Sequence, residues 1–244
     1  MPIVVASLLG MDILKPLVLP VTIRPAERLG AVDLYPPDDG ARRRPAVLFV
    51  HGGPVPAEQR PTPRDWPMFQ AYASLVAGRG VMGAVVDHGL HTPADYATAA
   101  DDVRAAVETL RSDPRVDGGR IALWFFSGGG LLSADYLREP PAWLRCVALT
   151  YALLAQFPGL PDEPRFRPVE AVTEAGDLPI VLTRAGADYP PVLAGIKAFI
   201  AAAKIRPDIV EVPHGRHSFD ILDDDDTSRA AIERAVDLVL STMK

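Results

Sequence analysis

One stretch constrains this chain more than any other: Ile121-Ala122-Leu123-Trp124-Phe125-Phe126-Ser127-Gly128-Gly129-Gly130. An apolar run meets a serine, and glycines follow at once. The run has the length and apolarity of a buried central strand. Leu131, Leu132, Ala134, Tyr136 and Leu137 then continue at helical spacing. The serine therefore sits where a strand stops and a helix starts. A chain that makes this change in one residue is strained there, and glycines relieve the strain because they lack a Cβ. Such a turn pushes the serine hydroxyl out at the carboxyl end of the sheet and aims the Gly128 N–H at whatever the hydroxyl attacks. A Gly-rich helix start with no chemistry would look the same locally, so the rest of the chain has to decide.

The stretch resembles the nucleophile elbow of the α/β-hydrolase family, G-x-S-x-G. The second glycine matches at Gly129; phenylalanine replaces the first at Phe125. That position is usually small because strand and helix pass close together.

Composition admits one large α/β domain and excludes several partner classes. The 244 residues are 48% hydrophobic and 23% charged, an ordinary globular balance long enough for a full core. The net charge of -6 gives no general attraction to nucleic acid or an anionic membrane. The lone cysteine, Cys146, excludes an internal disulfide framework, leaves the redox compartment open and reads as a small core residue. Residues 1–11 are apolar but lack a basic start and are too short to span a bilayer, so the expectation is a cytoplasmic protein. The 25 prolines stiffen loops between strongly apolar segments.

Taken in order, residues 17–23 and 28–35 read as two strands joined by a turn at 24–27. Arg42, Arg43 and Arg44 read as solvated surface rather than an anion site. A short apolar strand at 46–50 ends in His51-Gly52-Gly53-Pro54, and a Pro-rich loop follows. Residues 68–79 look helical and 81–86 form another buried strand. The clearest helix covers 93–112, with Thr92 as its N-cap and Pro93 at its first position. After the serine strand and its helix come a strand at 145–151, an aperiodic excursion over one sheet edge at 152–177, a strand at 178–184, a helix at 192–203, a last strand at 207–212 and a closing helix at 228–243. The acidic run 223–226 fits a helix N-terminus better than a Ca²⁺ loop. Two strands followed by alternating strands and helices imply an eight-stranded, mostly parallel sheet with helices on both faces, in one domain over 1–244.

That organisation resembles the α/β-hydrolase fold nearly end to end, and most resembles the small enzymes related to dienelactone hydrolase and to hormone-sensitive-lipase-like esterases. A serine hydroxyl needs a general base, and the base an orienting partner. The family places nucleophile, acid and histidine in that order, each at a strand exit. Here Ser127, Asp188 and His217 follow three strands in that order. Gly186-Ala187-Asp188 could be only a turn and a helix cap, but its place directly after a buried strand favours the acid role. His217 competes with His214; the family's histidine is usually followed one residue later by an aromatic, which His217-Ser218-Phe219 fits.

The resemblance further implies an oxyanion hole from Gly128 and the His51-Gly52-Gly53 loop. Pro54 has no N–H to give, so Gly53 is the expected second donor, with Val55 an alternative if the loop curls. His-Gly-Gly-Pro is also similar to the oxyanion loop of proline iminopeptidases, whose helical cap domain this chain has no room for. His51, Gly52, Phe125 and Phe126 are expected to line the substrate site, the two rings adding bulk beside the serine. There is no phosphate loop, CxxC pair or HExxH, so no cofactor or metal is implied.

The resemblance implies a serine hydrolase acting on a small ester, thioester or lactone, with a homodimer left open. The alternatives are a non-hydrolytic use of the fold, in acyl transfer, cyclisation or ligand binding, and a small prolyl-type peptidase.

Overall fold

The computed structural model describes residues 13–38, 43–156 and 163–244; residues 1–11 and Arg42, read above from sequence, lie outside them. Its sheet has eight strands: β1 (Glu27–Leu29), β2 (Val32–Tyr35), β3 (Arg44–Val50), β4 (Met82–Val86), β5 (Val116–Phe126), β6 (Leu144–Thr150), β7 (Ile180–Ala185) and β8 (Asp208–Val212). They lie in the order β1-β2-β4-β3-β5-β6-β7-β8. β1 pairs with β2, and β2 with β4, antiparallel; every later pairing is parallel.

The pleat sends alternate residues of each central strand to opposite cores. Ala46, Leu48, Val50, Ile121, Leu123 and Phe125 face one side, with α2 (Tyr96–Ser112), α3 (Ala134–Arg138) and α5 (Pro190–Ala202). Val47, Phe49, Ala122, Trp124 and Phe126 face the other, with α1 (Pro67–Ala77) and α7 (Asp226–Ser241). Two short helices, α4 (Pro168–Ala171) and α6 (Phe219–Leu222), are also present among the described residues. The apolar runs are strands because both of their faces are covered.

The first hairpin departs from the sequence reading. Residues 17–23 pair with no strand. They form an extended strap with Leu17 buried on the α1/α7 side, fixed by Val18 N–H donating to the Asp220 carbonyl at 2.8 Å and Arg24 N–H to Ser74 Oγ at 3.0 Å. The single strand read at 28–35 is instead a hairpin folded at Gly30-Ala31, where Gly30 takes φ +59 and Leu29 opposes Val32. A two-residue loop needs such a backbone, and glycine adopts it without penalty.

Helix α2 begins three residues later than the sequence suggests. Thr92 is not its cap: the Asp95 carboxylate accepts from Thr92 N–H at 2.7 Å and Thr92 Oγ1 at 2.8 Å, closing a turn ahead of Tyr96. At α7 the acidic run behaves as expected of a helix start. Asp225 caps it by accepting from Ser228 N–H at 2.8 Å, while Asp223 pairs with Arg216.

The described residues of the excursion at 152–177 pack on a sheet face rather than at an edge. Phe166, Ala171 and Val172 enter the core on the α2 side, with the Phe166 ring 5.5 Å from that of Tyr96; residues 157–162 lie outside the described residues.

Candidate active site

The site grows from the end of β5. Ser127 has φ +47, a left-handed backbone for an ordinary residue. Such a conformation costs about 1–3 kcal/mol and persists only where its surroundings over-determine it. Those surroundings are mostly backbone. A Cβ on Gly128 would lie 2.2 Å from the Gly53 carbonyl oxygen, one on Gly129 2.4 Å from that of His51, and one on Gly130 2.5 Å from that of Leu153. Only glycines let the chain leave β5 as a 3-10 helix (Ser127–Ser133) pressed against the loop after β3. Leu153 N–H donates to the Ser127 carbonyl at 2.8 Å, and the Tyr96 hydroxyl to the Gly128 carbonyl at 3.0 Å.

Three side chains far apart in sequence meet here. Ser127 Oγ lies 2.8 Å from His217 Nε2, and His217 Nδ1 lies 2.8 Å from Asp188 Oδ1. With Nδ1–H donating to the carboxylate, Nε2 is left to accept the serine proton. Asp188 Oδ1 also accepts Tyr189 N–H at 2.6 Å; its Oδ2 is buried and bonds to no described residue. The loops carrying Asp188 and His217 are zipped by Gly186 N–H to the Val212 carbonyl at 2.8 Å and Ala187 N–H to the Gly215 carbonyl at 2.9 Å. Beyond His217, Ser218 takes φ +63 and starts α6, while Arg216 N–H donates to Asp223 at 2.8 Å. His214 is exposed and bonds to no described side chain.

The remaining sequence candidates fall differently. Gly52 packs on the serine, since a Cβ there would lie 2.8 Å from Ser127 Cβ. Gly128 N–H belongs to the first turn of the 3-10 helix, whose leading amides have no partner within the helix. Gly53 N–H has no acceptor among the described residues. Val55 N–H is committed to the Leu90 carbonyl at 2.9 Å and so is not a donor at the site.

Phe125 and Phe126 correct the sequence reading. They are 0% and 1% exposed and point into opposite cores, Phe125 against Tyr136 and Phe126 among Phe49, Phe69, Tyr72, Trp124 and Tyr151. Neither ring presents a surface to a substrate. Consecutive strand residues cannot both turn to one side.

His51 is 1% exposed and stacks on His88, ring centroids 3.6 Å apart. His88 N–H donates to His51 Nε2 at 3.3 Å. Burial pushes both imidazoles down, His88 to about 4, so the pair is neutral. It props the loop that carries Gly52 and Gly53.

Sequence reasoning missed the aromatic and acidic groups behind His217. The Tyr151 and Tyr189 rings lie 4.8 and 5.4 Å from the imidazole. Asp220, 0% exposed, accepts from the hydroxyls of Tyr72 and Tyr151. An acidic residue three places past the histidine was the only local signal.

No protein-family profile matches the sequence, and no curated protein does. Among solved structures, the chain is similar to esterase 2 of Thermogutta terrifontis. The form phosphoramylated by tabun shares 22% identity at TM-score 0.69 over 90% of this chain and 94% of that one. The form phosphorylated by paraoxon gives 22% and 0.69 over 89% and 92%, and the butyrate-bound form 20% and 0.65 over 90% and 94%. With the strand order, this establishes an α/β-hydrolase fold.

Proposed function

We propose that the chain is a serine hydrolase that cleaves small carboxylic esters, thioesters or lactones through an acyl-enzyme on Ser127. The observation that carries this reading is the Ser127–His217–Asp188 hydrogen-bonded chain, with both links at 2.8 Å and the serine held in a strained backbone. In this reading His217 Nε2 takes the proton as Ser127 Oγ attacks the carbonyl carbon. Asp188 fixes the ring and stabilises the imidazolium. The carbonyl electrons move onto oxygen, where the Gly128 and Gly53 amides stabilise the charge. On collapse the His217 proton goes to the leaving alcohol, thiol or hydroxyl. Water then repeats the sequence against the acyl-enzyme and restores the serine.

The related esterase 2 structures carry organophosphoryl groups, and propionate or butyrate, which supports an activated serine and short acyl groups. Phe125, which stands where the family has glycine, is fully buried and puts no ring beside Ser127.

Fluorophosphonate labelling tests the reading. The expected result is one adduct, on the Ser127 peptide, with loss of p-nitrophenyl butyrate hydrolysis. Ser127→Ala and His217→Ala should each remove nearly all turnover, about 10³-fold or more, because such groups act as a unit. His214→Ala should leave it intact. A Ser127→Ala protein that still turns over ester at the wild-type rate overturns the assignment.

A further inference from the structure

Behind His217 lies a charge that the proposed chemistry has not used. Asp220 sits on α6, three residues past His217, and is fully buried. Its Oδ2 accepts from the Tyr72 hydroxyl at 3.1 Å and from the Tyr151 hydroxyl at 2.9 Å; Oδ1 is 3.0 Å from the same Tyr151 oxygen. Tyr72 comes from α1 and Tyr151 from the exit of β6, so three separate elements converge on one carboxylate. The Tyr151 ring also lies against the imidazole, with centroids 4.8 Å apart at 56°. Tyr151 is held there with φ +36, its N–H donating to the Thr183 carbonyl at 3.0 Å. Carboxylate, phenol and imidazole thus form a row on the side of His217 not occupied by Ser127 and Asp188.

We propose that Asp220, acting through Tyr151, is a positioning residue for His217: its negative charge favours the imidazolium of the transition state, and its grip on the phenol fixes the plane of the ring. The proposal rests on the assignment of His217 as the base for Ser127.

A purely structural tie explains the row poorly. Two tyrosine hydroxyls could be satisfied by a neutral amide, and an ionised carboxylate in the core is costly without a cationic partner. Asp220 forms no ion pair with arginine or lysine among the described residues. The titratable groups that face it are Tyr72 from α1, Tyr151 from the end of β6 and His217 from its own loop; Asp188 faces His217 from the β7 loop. Burial pushes the Asp220 carboxyl up to about 6, while its two tyrosine bonds and the charge of His217 pull it back. Near neutral pH the group is therefore an anion that a small drop in pH discharges.

The test is the acid side of the kcat/KM profile for p-nitrophenyl butyrate, measured with wild-type enzyme, Asp220→Asn and Tyr151→Phe. Asparagine keeps partners for both hydroxyls and removes the charge; phenylalanine keeps the ring and cuts the link. Below about pH 6, wild-type activity should fall more steeply than one proton allows, by about a further tenfold, because protonated Asp220 leaves the enzyme no better than Asp220→Asn. Each variant should fall with a slope of one. Near pH 8, Asp220→Asn should lower kcat about tenfold with KM within twofold, since a nearby charge acts on the transition state without touching substrate. Wild-type and variant limbs of equal slope overturn the proposal, whatever the change in kcat. Tyr151→Phe gives the same readout should Asp220→Asn fail to fold by near-ultraviolet circular dichroism. If Ser127 takes the fluorophosphonate and the slopes are equal, the serine reading stands and this inference falls. If Ser127 is unlabelled and its alanine variant active, the reading beneath it has failed instead.

Discussion

Replacing Asp220 with asparagine should stabilise the folded protein at pH 8 and lose that advantage at pH 4. Burial raises the folded-state carboxyl to about 6. An unfolded aspartate titrates near ~3.9, so the gap is about two units, or about 3 kcal/mol. The folded state binds the proton more tightly. Between about pH 6 and pH 4 it holds a proton that the unfolded chain lacks, so this group adds stability as pH falls through that window. Above it, the ionised carboxylate costs the fold about 3 kcal/mol. Asparagine carries no such cost at any pH. It does exchange one set of hydrogen bonds with Tyr72 and Tyr151 for another, an effect of about 1 kcal/mol of either sign. That offset does not depend on pH and cancels when the difference is compared at two pH values. Urea unfolding of both at pH 8, 6 and 4 should show the variant's relative stability falling by about 2–3 kcal/mol from the first pH to the last. A stability difference constant to within about 0.5 kcal/mol would refute the reasoning, because Asp220 would then titrate alike in both states.

The opposite sign holds at His88. Its folded value of about 4 lies below the ordinary 6.5, so the unfolded chain takes up a proton first and stability drains away from about pH 6.5 down to pH 4; His88→Gln should reduce that loss by about 3 kcal/mol in urea midpoints taken across the window. Gly128→Ala would set a methyl 2.2 Å from the Gly53 carbonyl oxygen and push the two loops apart by about 1 Å, so ester turnover should fall about 10²-fold, read as kcat on protein that passes a circular dichroism check. Cys146 is fully buried and burial pushes its thiol up to about 12, so Ellman's reagent should find no reactive thiol until urea unfolds the chain.

What sequence could reveal tracks what is local. Strands β3 to β8 are legible as mainly apolar runs because most of their positions are covered on both faces; the polar start of β5, Val116 to Arg120, carries no such signal. Ser127, Asp188 and His217 were visible because each follows such a run. The strap at 17–23 misled because Leu17, Val18, Leu19 and Val21 bury apolar surface without a ladder, and apolarity reports burial, not hydrogen-bond partners. The true hairpin turn carried a signal, Leu29-Gly30-Ala31-Val32, which the longer apolar reading of 28–35 overrode. Phe125 and Phe126 were assigned to one wall although the pleat requires opposite sides. Tyr72, Tyr151 and Asp220 lie up to 148 positions apart, and no spacing rule links an α1 phenol to an α6 carboxylate.

The two ends of the sheet bear on how this chain behaves in crowded solution. A sheet edge is a row of unpaired amides and carbonyls, open to a strand from another molecule. β1 offers only three residues of it, all exposed, and two are tied by charge: Glu27 to Arg115, and Arg28 to Asp33 and Asp65. At the far edge, β8 exposes Asp208 and Glu211, the latter gripped by Arg184 of β7. An incoming strand would have to strip water from these groups on one side or settle for three residues of ladder on the other. Protection from edge-to-edge aggregation is thus written in a few charged side chains, and replacing Glu27, Arg28 or Glu211 with β-branched apolar residues is the change that would remove it.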